Sequence, residues 1–185
     1  MRWLLNRYLD LLLRHPWKVT SISTGFLVGI GDTISQRIIE KKDTHDVRRN
    51  VKMTCIGTFY IGPAQMTMYN TVEKMFPLAN RVSLVKKMLV TQLVWAPFII
   101  GSIFLLSDVL DGRGVDDIAE KFRTSYFRTL FTGYLIWPLA QCLIFSFVPL
   151  HLRVLVTNFI ALFWNTYLTW VVNSRNAVKD KKHEL

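Results

Sequence analysis

Asp32 stands out among the side chains that could do chemistry in an apolar setting. Laid on a helix at about 100° per residue, Ser21, Gly25, Gly29, Asp32 and Gln36 share one narrow face, and the other faces carry Ile22, Phe26, Leu27, Val28, Ile30 and Ile34. A carboxylate in the middle of such a helix costs roughly 2.5–3.5 kcal/mol on insertion scales, so it must face other helices or a water-filled space. Polar positions recur in later apolar runs: Thr58 and Gln65, Gln92, Gln141, then Asn158 and Asn165. One acid and several carboxamides can do two things there. Converging on water, they line a pore for solutes. Converging on each other, they form interhelical hydrogen bonds of about 0.6–2 kcal/mol apiece. The pattern alone leaves both open.

Catalysis has less to work with. His15, His45, His151 and His183 are scattered over connectors and ends, without a cysteine or carboxylate at metal-ligand spacing. Asp116 and Asp117 are adjacent, and adjacent residues on a helix do not face each other. Neither a phosphate-cradling glycine loop nor a nucleophile-elbow serine occurs, and an enzyme needs an acid or base beside a nucleophile. The expectation is no enzyme, no catalytic residue, no metal site and no cofactor. Cys55 and Cys142 lie in apolar runs and read as small packed hydrophobes.

The elements that must position these residues follow from composition. Hydrophobic residues make up 51% of the chain and charged ones 19%, and the charges cluster between long apolar runs of the kind that span membranes. The net charge of +10 sits in short connectors, where Lys and Arg meet lipid head groups or set topology. The expected partners are therefore the lipid bilayer and small, anionic solutes, with a homo-oligomer left open and no direct nucleic-acid binding.

The pattern predicts an all-α, polytopic membrane bundle of four to five spans, a single membrane domain over 1–185. Residues 1–14 read as an N-terminal amphipathic helix in the interface. The bundle covers 17–172, with spans at about Trp17–Ile39, Val51–Met75, Met88–Leu110, Thr129–Val148 and Val154–Val172, and 173–185 is a polar tail. Ser21, Gly25 and Gly29, with Gly62 on the second span, are small enough for close helix packing. Pro63 should kink the second span and Pro97 break the third. Glu40–Asn50 reads as a solvated connector, and Asp108–Arg128 as a turn followed by a short surface helix at Val115–Phe122. Trp164, Tyr167 and Trp170 suit an interfacial aromatic belt.

These residues resemble the Mpv-type family of small integral proteins of peroxisomal and inner mitochondrial membranes. The resemblance runs from His15-Pro16-Trp17-Lys18 through Gly31-Asp32-Thr33-Ile34-Ser35-Gln36, Trp137-Pro138 with Gln141, and Val148-Pro149 with Arg153, to the motif between Trp164 and Trp170 that includes Tyr167. The chain departs from the family at Ile144-Phe145, where Asn-Phe is common, and at Thr169, where serine is usual. Its start and its acid motif are closer to the mitochondrial branch, so the resemblance implies the mitochondrial inner membrane, with the peroxisomal membrane as the alternative. It further implies a weakly selective channel for small solutes, linked to mitochondrial homeostasis and mitochondrial DNA maintenance. The alternative is a non-conducting scaffold or assembly factor whose loop charges, Lys41, Lys42, Arg48 and Arg49, bind partners.

Overall fold

The computed structural model describes the backbone of residues 2–41, 43–77, 80–147 and 150–173. Within these the chain forms six helices and no strand. Helix α1 is Arg2–Arg14, and α2 is Pro16–Ile34 carried on by a π-helical turn at Ser35–Ile39. Helix α3 joins Val47–Cys55, a π turn at Ile56–Ile61, and Gly62–Met75. Helix α4 joins Arg81–Val90, a π turn at Thr91–Trp95, and Ala96–Leu110. Helix α5 joins Val115–Lys121, a π turn at Phe122–Tyr126, and Phe127–Phe147, and α6 is Leu150–Asn173. Among the described residues one helix, Arg81–Leu110, is by itself long and apolar enough to cross a membrane.

Helices α3 and α4 run through their prolines. Proline lacks an N–H, and its ring collides with the carbonyl four residues back. In both helices the π turn lies just ahead of the proline, Ile56–Ile61 before Pro63 and Thr91–Trp95 before Pro97. The wider i→i+5 turn makes room for the ring, so Pro97 ends no helix.

The side chains are arranged inside out. Ile22, Phe26, Phe59, Leu93, Phe98 and Leu135 are exposed, whereas Asp32, Gln36, Arg49, Asp108, Lys121 and Thr169 are buried. That distribution suits an apolar solvent, where polar groups must find partners inside the protein.

Helices α2 and α3 pack with almost no side chain between them. A Cβ on Gly62 would lie 2.5 Å from Ser21 Cα, and one on Gly57 would lie 2.8 Å from Gly25 Cα. Cβ atoms on Gly25 and Gly29 would meet Thr58 Oγ1 and Thr54 Oγ1. On its other side α2 presses Gly31 onto the α6 backbone, where a Cβ would be 2.9 Å from Thr166 N. The apolar core gathers Ile100, Ile103, Phe104, Leu130, Trp164 and Leu168 from α4, α5 and α6.

Three expectations are corrected. The Asp108–Arg128 stretch holds no separate surface helix: Val115 starts a helix that continues to Phe147 through the π turn. Glu40–Asn50 is not simply solvated, because Arg49 is buried and Asp46 caps α3 by accepting from the Arg49 N–H at 2.9 Å. Cys55 is exposed rather than packed inside. The Cys142 side chain and residues 174–185 lie outside the described residues.

Candidate functional site

The polar residues assemble into two ion-pair centres and a cavity. The first centre forms where α2 ends and α3 begins. Asp32 has no exposed surface, and its carboxylate is fully engaged. Oδ1 accepts from Arg49 Nε at 2.7 Å, while Oδ2 accepts from Gln36 Nε2 at 2.7 Å and Asn50 Nδ2 at 3.3 Å. Arg49 turns its other two nitrogens on Glu40, Nη1 to Oε2 at 2.8 Å and Nη2 to Oε1 at 2.7 Å. The π turn lets Glu40 reach this point, since its backbone N–H bonds to Ser35 O at 2.8 Å, five residues back. Ser35 Oγ then donates to Glu40 Oε1 at 2.8 Å. Arg49 Nη2 also approaches the Thr169 carbonyl at 3.4 Å, tying α6 to the same point.

The second centre joins α4 to α5. Lys121 Nζ donates to Asp108 Oδ1 at 2.6 Å with both side chains buried, and Arg113 Nε lies 3.4 Å from the same oxygen. Lys52 on α3 bonds to Ser107 Oγ at 3.1 Å and to both Asp111 oxygens at 2.7 and 2.8 Å. These charges cluster where α2, α4 and α6 end and α3 and α5 begin, so they share one end of the bundle.

Further along the bundle is a cavity of about 150 Å³ between α2, α3, α4, α5 and α6. Gln65, Gln92 and Asn165 converge on it from three helices, together with Thr24, Thr91 and Tyr69. Trp95, Trp137 and Trp164 form aromatic walls, the last two edge to face at 6.1 Å. Val28, Met53 and Ile56 form one buried apolar cluster, and Ile103, which also lines the cavity, packs in a second with Phe104.

The structure thus divides the polar residues singled out by sequence. Gln65, Gln92 and Asn165 meet at the cavity, Asp32 and Gln36 belong to the ion-pair centre, and Thr58 sits against Gly25. The side chains of Gln141, Asn158 and Arg153, and all of Pro149, lie outside the described residues. Ser21, Gly25, Gly29 and Gly62 form the α2–α3 crossing. Pro138 lies within α5. Trp164 is not a belt residue: it is buried in the core, and Tyr167 and Trp170 pack against the same cluster.

Arg49, Asp108 and Lys121 went unrecognised as buried, and Glu40 as largely covered. A signal existed for Arg49, because a buried carboxylate at Asp32 demands a cation and the adjoining connector offers several.

Comparison with known proteins settles the lineage. The Mpv17 / PMP22 family profile matches residues 108–169. The mitochondrial inner membrane protein Mpv17 of Danio rerio is 38% identical over 175 residues, covering 94% of this chain and 99% of the relative. The chain belongs to the Mpv17 / PMP22 family. Human Mpv17 is 35% identical over 165 residues, covering 88% of this chain and 94% of the relative. Protein SYM1 of Candida albicans is 34% identical over 194 residues, covering 95% and 100%. No solved structure matches the chain. With these relatives, this Mpv17-family chain is a protein of the mitochondrial inner membrane. The profile match begins at Asp108 and ends at Thr169, so it takes in the Asp108–Lys121 pair, the Trp137 wall and Asn165.

Proposed function

We propose that the protein is a weakly selective conduit for small solutes across the mitochondrial inner membrane, with the central cavity as its solute-holding waist. One observation carries the reading: carboxamides from α3, α4 and α6 converge on a cavity lined by five helices. Polar groups this deep in a membrane bundle mark solute pathways more often than they mark chance. In this reading α2 to α6 cross the membrane, and α1 lies along its surface with Trp3 and Leu13 exposed. The ion-pair centres act as fixed staples at one end, and the reading assigns no residue a catalytic step. The link to mitochondrial homeostasis and DNA maintenance would follow from solute supply across this membrane.

The scaffold reading draws on a different observation, the full satisfaction of Asp32 by protein partners. It loses part of its proposed partner surface, because Arg49 is buried, while Arg48 and Lys41 are exposed and Lys42 is outside the described residues.

The test is solute equilibration across proteoliposomes. Vesicles with the purified protein should take up glycerol and small polyols faster than protein-free vesicles, and Gln65→Trp should slow this without loss of folded protein. Uptake no faster than in empty vesicles would leave the scaffold.

A further inference from the structure

We infer that the cavity selects uncharged solutes, no larger than about one six-membered ring, that carry a hydrogen-bond donor and acceptor side by side. This deepens the conduit reading and rests on it. None of the described lining residues is charged. Asp32 and Glu40 pair with Arg49, and Asp108 with Lys121, at the end of the bundle, so among the described residues no counter-ion faces the cavity. An ion entering it would lose its hydration without gaining an opposite charge.

The polar side chains that do face it are hydroxyls and, from three helices, the carboxamides of Gln65, Gln92 and Asn165. A carboxamide offers two donors and an acceptor close together. The side chains of Gln92 and Asn165 make no hydrogen bond among the described residues, so their capacity is available to an occupant. The walls are flat indoles, Trp95, Trp137 and Trp164, against which a planar or compact body stacks. A cavity of about 150 Å³ matches one that holds a single benzene ring. Neutral charge, paired donor and acceptor, a flat wall and ring-sized room together describe a small amide, cyclic imide or short polyol. They do not describe an anion, so the basic connectors concern topology and lipid rather than the cargo.

The probes are benzamide and benzoate, which share a ring and differ at neutral pH in charge. Binding to the full-length protein in detergent micelles is followed by saturation-transfer NMR. Benzamide should bind at least about tenfold more tightly than benzoate, which is charged and offers no donor beside its acceptors. Gln92→Leu should weaken benzamide by about two- to tenfold, as expected for one lost hydrogen bond, with the unfolding midpoint unchanged. Gln65→Leu provides a second variant should the first fold poorly. Benzoate bound as tightly as benzamide overturns the inference, and so does benzamide binding that neither variant alters. Glycerol flux in proteoliposomes separates the two claims. Discrimination in protein that passes no solute sinks the conduit and supports the site. Flux alongside equal binding of both probes keeps the conduit and overturns the selectivity.

Discussion

Replacing Arg49 by methionine removes the cation that Asp32 and Glu40 share. The side chains of Arg49, Asp32 and Glu40 are 6%, 0% and 10% exposed, so water cannot stand in for the lost partner. Arg49 donates to Asp32 at 2.7 Å, to both Glu40 oxygens at 2.7 and 2.8 Å, and more weakly to Ser35 Oγ and Thr169 O. Breaking a buried pair by deleting one member costs about 3–5 kcal/mol, because the other charge is stranded. At about 2–4 °C per kcal/mol for a chain of this size, the apparent midpoint should fall by about 6–20 °C. Asp32→Asn should cost less, about 1–2 kcal/mol, since Arg49 keeps Glu40 and only a charge-assisted bond is weakened. Adding Asp32→Asn to Arg49→Met should recover part of the loss, because one stranded carboxylate is gone. The assay is intrinsic tryptophan fluorescence during heating in detergent, at a fixed scan rate. An Arg49→Met midpoint within about 2 °C of wild type, or Asp32→Asn more damaging than Arg49→Met, would refute this account of the centre.

Three further outcomes are expected. Gly62→Ala should destabilise by about 2 kcal/mol or more, because the new Cβ meets the Ser21 backbone at 2.5 Å; in Gly112→Ala the Cβ has open space, and only the positive φ of 69° is strained. The same heating assay compares the two, and equal midpoints would contradict the close crossing. Lys121→Met should cost about 3–5 kcal/mol, and Asp108→Asn should return part of it in the double variant; additive losses would argue against a coupled pair. Cys55, exposed among Val51 and Phe59, should react with a lipid-soluble maleimide in intact membranes but not with an impermeant aqueous one, which mass spectrometry can score. Reaction with the aqueous reagent would place that face in water.

Much of the fold was legible because an apolar run with a polar stripe is a helix in a membrane, and the five long helices follow those runs. Their starts were less legible. Asp46 and Asn80 cap α3 and α4 by accepting from the Arg49 and Ser83 N–H groups at 2.9 and 2.7 Å, which draws both helices upstream into stretches that read as charged connectors. The π turns were invisible to a 3.6-residue period, since the extra residue in the turn shifts the phase of everything after it. That shift brings Glu40 back onto Ser35 and Arg49. Gln65, Gln92 and Asn165 drew notice as polar groups in apolar helices. Lys121 did not, because a lysine in a polar stretch reads as solvated, and only the fold sets it beside Asp108 and over the Phe104 ring at 5.5 Å.

The central claim is that solute passes through the cavity beside Gln92, and blocking that point tests it most directly. In protein carrying Cys55→Ser and Cys142→Ser, Gln92→Cys is reconstituted and glycerol uptake is measured before and after reaction with an uncharged, bulky maleimide. With complete labelling established by mass spectrometry, uptake should fall to that of protein-free vesicles. Uptake unchanged by complete labelling would contradict a path through this cavity.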